Sequence, residues 1–145
     1  MLRIVKCSIS RYRSILSMTL DISQESNSIA ICGPNNVGKT NTLRAINLFF
    51  HPEDYVREID MPKIKSATGG QSTHPKIELT FWDEECSRYY VLCRDMKVYS
   101  ENSPETSLTG VSYEPNNKKN KIKLSSEDVL ALFEQMEFVY IESIN

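Results

Sequence analysis

Long hydrophobic runs are missing from this chain of 145 residues. No apolar stretch approaches the ~20 residues that a helix needs to cross a bilayer, so a helical membrane anchor is excluded. The N-terminus, Met1-Leu2-Arg3-Ile4-Val5-Lys6, enters a charged amphipathic pattern and lacks the apolar core of a secretion signal. Cysteines are few and scattered. Cys7, Cys32, Cys86 and Cys93 have no close metal-site spacing, and Cys32 falls in a predicted central strand, which argues for a reduced cytoplasmic chain over a disulfide scaffold. An excess of one charge is also lacking, with 17 Lys and Arg against 19 Asp and Glu. That balance neither points to nor excludes nucleic acid, because a basic patch can sit on a neutral protein.

What the chain does have is Gly33-Pro34-Asn35-Asn36-Val37-Gly38-Lys39-Thr40, a full match to G-x-x-x-x-G-K-[ST]. The apolar run Ser28 to Cys32 before it reads as a buried strand, and Lys39 to Phe50 after it reads as a helix. In a strand–loop–helix unit the loop amides and the helix N-terminus face phosphate oxygens. Lys39 would reach the β- and γ-phosphates, and the Thr40 hydroxyl would ligate Mg²⁺. Gly33 and Gly38 permit the tight turn and the close backbone approach. A hydrolase of this kind also needs an acidic residue at the end of another core strand. Asp83 is a weak candidate, since Glu84 and Glu85 beside it read as a polar turn.

Taken in order, Val5, Cys7 and Ile9 alternate with polar residues, and so do Leu16, Met18, Leu20 and Ile22. Two half-buried strands therefore precede the wholly apolar one, which predicts an antiparallel sheet leaning on a parallel core. Leu43, Ile46 and Phe50 mark the apolar stripe of the following helix, widened by Ala45, Leu48 and Phe49, and Pro52 ends it. Little order is expected from Tyr55 to Thr73. Ile77, Leu79 and Phe81 open a β-hairpin whose second strand runs from Arg88 to Arg94, with Lys97 to Tyr99 as a possible extension. Residues 100–121 read as loop and end in a basic run, Lys118, Lys119 and Lys121, taken as a solvated hairpin tip or as a phosphate contact. Ser125 and Asp128 have capping-box spacing ahead of a helix over 126–136, and Phe138 to Ile141 reads as another buried strand. With no closing helix after that strand, the chain reads as the N-terminal part of a longer protein.

Tyr12-Arg13-Ser14 on the first strand pair, then Ile29 to Asn41 and Leu43-Arg44-Ala45-Ile46, resemble the N-terminal lobe of ABC-type ATPase heads. The nearest groups are the SMC and RecF proteins and the OLD-family nucleases, which share an asparagine at the place of Asn35. The resemblance implies an α/β fold: a P-loop NTPase lobe with an antiparallel β-subdomain, incomplete at its C-terminus. Residues 1–50 would supply strands, phosphate loop and first helix, 51–123 the β-subdomain near adenine, and 124–145 a helix and strand re-entering the core. It implies ATP and Mg²⁺ as cofactors. Gly33, Asn35, Asn36, Val37, Gly38, Lys39, Thr40 and Asn41 would hold the nucleotide, with Arg13 near the phosphates, Lys39 as the catalytic residue and Thr40 on the metal. No glutamine matches the family's Mg²⁺ ligand, since Gln71 and Gln135 are badly placed. The implied activity is ATP hydrolysis, in an OLD-type DNA endonuclease of anti-phage defence, in an SMC- or RecF-like DNA repair ATPase, or in a nucleotide-gated scaffold. Implied partners are a second copy joined head to head, DNA, and a defence-system protein or RNA, with no membrane.

Overall fold

The computed structural model describes residues 2–22, 37–62 and 74–136; of 37–39 it describes the backbone. In chain order these form β1 (Leu2–Tyr12), β2 (Ile15–Asp21), α1 (Val37–Phe50), α2 (Arg57–Asp60), β3 (Lys76–Asp83), β4 (Arg88–Asp95), β5 (Leu108–Tyr113), β6 (Ile122–Lys123) and α3 (Ser126–Glu134). The six strands described make one sheet in the order β2-β1-β3-β4-β5-β6, antiparallel at every step. The first hairpin and the β3–β4 hairpin, far apart in sequence, are joined by the pairing of β1 with β3.

β1 is long enough to serve two neighbours, so that Cys7 faces Leu20 on one side and Leu79 on the other. Period-2 alternation then decides what is buried. Cys7 and Ile9 of β1, Ile77, Leu79 and Phe81 of β3 and Leu92 of β4 meet Ala45, Leu48 and Phe49 of α1 in one core, with Val129 of α3 at its far side. β2 alternates as expected but lies at the sheet edge, where cover is thin: Leu16 is exposed, and Met18 and Leu20 are half-buried.

α1 is covered over much of its girth, although its deepest face is not the expected one. Ala45, Leu48 and Phe49 are buried together with Asn41 and Thr42, whereas Leu43, Ile46 and Phe50 are half-buried. Polar residues at the start of that face hide it from an apolar count. At the helix's other end, Arg94 of β4 is 3% exposed and donates from Nε to the Phe49 carbonyl (3.1 Å). Its Nη1 donates to the Pro104 carbonyl and to Ser107 Oγ, both at 2.9 Å. The last carbonyls of a helix lack intrahelical donors, and this arginine supplies one from the sheet. Burial pushes its pKa down to about 10, which leaves it charged at neutral pH.

Three segments depart from the sequence expectation. Tyr55 to Thr73, expected to hold little order, contains α2. Within 100–121, expected as loop, lie a 3₁₀ turn (Pro104–Ser107) and strand β5. Lys97 to Tyr99 turns away from the sheet and does not extend it. Gly110 explains the second miss. A Cβ there would stand 2.6 Å from Leu92 Cδ2 and 3.1–3.2 Å from Leu124 and Val129, so glycine is what lets α3 approach the strand. The α3 cap is as expected, with Ser125 Oγ accepting from the Asp128 amide at 3.1 Å. The strands expected at Ser28–Cys32 and Phe138–Ile141 lie outside the described residues.

On the sheet face away from α1, Trp82, Tyr89 and Tyr113 stand directly opposite one another across β3, β4 and β5. Their ring centroids are 4.7 and 5.0 Å apart, within the range of favourable aromatic pairs.

Candidate nucleotide-binding site

The site is built around the start of α1, which begins at Val37, so that Gly38, Lys39 and Thr40 make up its first turn. The first amides of a helix have no intrahelical acceptor and sit at the positive end of its dipole, which suits an anion. Thr40 is half-buried. Asn41, 1% exposed, donates from Nδ2 to Ser14 Oγ at 2.9 Å, and its Oδ1 has no hydrogen-bond partner among the described residues. Gly33, Asn35 and Asn36, and the side chains of Val37 and Lys39, lie outside what is described.

Ser14 belongs to the β1–β2 turn, so the Asn41 contact ties that turn to the residue following Thr40. Arg13, the other turn residue, has a left-handed backbone, φ 51°. Its amide donates to the Asp60 carbonyl at 2.7 Å, and its Nε donates to Asp60 Oδ1 at 2.9 Å. The guanidinium carbon lies 5.4 Å from the centre of the Tyr12 ring. Burial, with the Asp60 carboxylate next, pushes the Tyr12 hydroxyl up to about 12, against the pull of Arg13 and Arg44. Tyr12, Arg13, Arg44, Asn47, Asp54 and Asp60 line a cleft of about 170 Å³ beside α1.

The structure thus brings Arg13, Thr40 and Asn41 to one side of the domain. It adds Ser14 and Asp60, which sequence reasoning missed. Nothing local marks Asp60, because its partner is 47 residues away and its neighbours on α2 read as an ordinary charged surface turn. Asp83 is used elsewhere: its Oδ1 accepts the Glu85 and Cys86 amides at 3.0 and 3.3 Å and shapes the β3–β4 turn. Gln135 is the C-cap of α3. Among the described residues no group of three or more His, Cys, Asp or Glu could hold a metal ion. The Thr40 hydroxyl on a helix N-terminus is of a kind that suits a magnesium–phosphate ligand, which brings most of its own oxygens, whereas Asn41 Oδ1 is buried and has no partner among the described residues.

The basic run lies between β5 and β6 and is exposed. Lys121 Nζ lies 5.9 Å from the Tyr113 ring centre, and Lys118 and Lys121 border a groove of about 440 Å³ together with Lys6, Asp21 and Glu78. Lys119 is not part of that lining. Two carboxylates among three ammonium groups leave the groove close to electrical balance.

A helix that opens on a phosphate-loop motif, packed against an antiparallel sheet, defines a nucleotide-binding ATPase domain. The chain belongs to the AAA ATPase domain family, whose model matches residues 2–142. No curated protein matches it. Among the described residues no helix is long and apolar enough to cross a membrane.

Proposed function

We propose that this chain is the ATP-binding and hydrolysing lobe of an OLD-family, ATP-dependent DNA endonuclease that acts in the cytoplasm in anti-phage defence. The observation that carries the ATP part is the pairing of G-x-x-x-x-G-K-T with a helix that starts inside it, at Val37. Lys39 is the residue assigned to the transferring phosphoryl group and Thr40 the one assigned to Mg²⁺, by the chemistry of the motif. The antiparallel sheet ahead of and beside α1 supports an ABC-type head over a Ras-like fold. The OLD assignment rests on the resemblance of residues 1–50.

A single lobe leaves the triphosphate open to water, which weakens every charged contact made to it. Closure by a second copy, head to head, supplies the missing wall and satisfies both sites by symmetry. DNA lies across the joined heads.

Lys39→Ala in the full-length protein tests this reading. Steady-state ATP hydrolysis should fall to background, and nucleotide affinity should weaken, because charge-assisted contacts to the phosphates are lost. Turnover equal to wild type would overturn it.

A further inference from the structure

Asp60 carries an unusual amount of obligation for the last residue of a four-residue helix. It is 2% exposed, while Ile59 beside it is 53% exposed. A carboxylate buried in that way must be paired, and both of its oxygens are used: Oδ1 takes Arg13 Nε, and Oδ2 takes the Val56 amide at 2.8 Å, closing α2 on itself. Its main-chain carbonyl takes the Arg13 amide as well. One residue therefore fixes both the backbone and the side chain of Arg13.

Those bonds hold Arg13 in a left-handed conformation that an L-residue with a Cβ avoids unless its surroundings impose it. The neighbouring Ser14 is held by Asn41, next to Thr40. The β1–β2 turn is thus clamped between the phosphate-facing end of α1 and the end of α2. The clamp also sets which edge of the guanidinium is spent. Asp60 engages Nε, and of the two forked edges by which arginine meets phosphate the end-on pair, Nη1 and Nη2, does not use that nitrogen. The Arg13 side chain remains 26% exposed and lines the same cleft as Arg44.

We propose that Asp60 is a positioning residue for nucleotide binding: it orients Arg13 so that its terminal N–H groups meet the phosphates, and it links that contact to the position of α2. The proposal rests on the reading of the chain as an ATP-binding lobe. It assigns Asp60 no contact with nucleotide of its own.

The test is a double-mutant cycle on the full-length protein with Arg13→Ala, Asp60→Asn and the pair. Affinity for a non-hydrolysable ATP analogue with Mg²⁺ is measured by calorimetry, and the unfolding temperature is followed in parallel. Asp60→Asn should weaken binding by about fivefold to twentyfold, as contacting residues that act together do, and the double variant should bind like Arg13→Ala alone. Variants that unfold at lower temperature yet bind like wild type would reduce the pair to a structural staple and overturn the proposal. So would losses that multiply in the double variant. Should Asp60→Asn fail to fold, Asp60→Glu gives the same decision, because it keeps the carboxylate and all of the Arg13 guanidinium while moving the acceptor that orients it. Weakened binding in that variant supports the proposal, and wild-type affinity overturns it. Lys39→Ala serves as the control. If it binds as wild type does, the ATP-site assignment itself has failed, and the proposal with it. If it weakens binding while the Arg13 and Asp60 variants do not, only the positioning role is lost.

Discussion

Replacing Arg94 by methionine removes the donor that closes the C-terminal end of α1 while keeping an unbranched aliphatic stem in the core. The cost follows from which acceptors are stranded. Ser107 Oγ also donates to the Pro104 carbonyl at 2.7 Å, so those two groups retain each other. The Phe49 carbonyl is left without the donor that Arg94 supplied, inside a fully buried residue. Leaving such an acceptor unsatisfied costs about 1–3 kcal/mol. Losing a cation at a partly buried helix C-terminus adds up to ~2 kcal/mol. Against this, burying a guanidinium carries a desolvation cost that methionine avoids, offset only in part by the attraction of the Glu53 carboxylate. We expect a net destabilisation of about 2–4 kcal/mol. In urea, with a slope of about 2 kcal/mol per molar, that moves the midpoint down by about 1–2 M. Equilibrium unfolding followed by circular dichroism measures it. A midpoint within a few tenths of a molar of wild type would refute the reasoning, because desolvation would then cancel the three hydrogen bonds. Arg94→Lys should fall between the two, since one ammonium cannot reach Phe49 and Ser107 in the geometry that a planar fork spans.

Gly110→Ala should destabilise the domain by about 1–3 kcal/mol, as overpacking does, because its Cβ would press on Leu92 and on two residues of the α3 segment; unfolding temperature reads this out, and an unchanged value would mean that α3 lifts away freely. The Cys7 and Cys93 thiols, pushed by burial from 9.0 to about 11, keep their protons in the folded state after the unfolded chain has lost them. Stability should therefore be complete below pH 9 and fall as pH rises through about 11, and the loss should shrink in Cys7→Ala.

Much of the sheet was legible because its inner face is written with period 2: Cys7 and Ile9, or Ile77, Leu79 and Phe81, announce a strand before anything is known of its neighbours. The α3 cap was legible for a similar reason, since Ser125 and Asp128 interact within one turn. What escaped was set by partners distant in sequence. β5 carries a glycine and three hydroxyl residues, Thr109, Ser112 and Tyr113, and its strand character comes from lying between β4 and β6. The deep face of α1 was misjudged because Asn41 is buried against Ser14 of the β1–β2 turn and Thr42 against Met18 of β2, and not by any apolar character of their own. Asp60 was invisible because one of two acidic residues on a short charged segment carries no sign of an arginine 47 residues earlier. The phosphate-loop motif, by contrast, put Thr40 forward and the family resemblance put Asn41 forward, while the Ser14 contact of Asn41 came from the fold.

The aromatic row on the outer face has an optical consequence. Trp82 is the single tryptophan of the chain, and the row places it against Tyr89, which in turn stacks on Tyr113. Light absorbed by either tyrosine is passed to the indole at such separations, so these rings add to tryptophan emission while β3, β4 and β5 stay in register, and that added part falls when the strands separate. The protein carries its own gauge of sheet integrity.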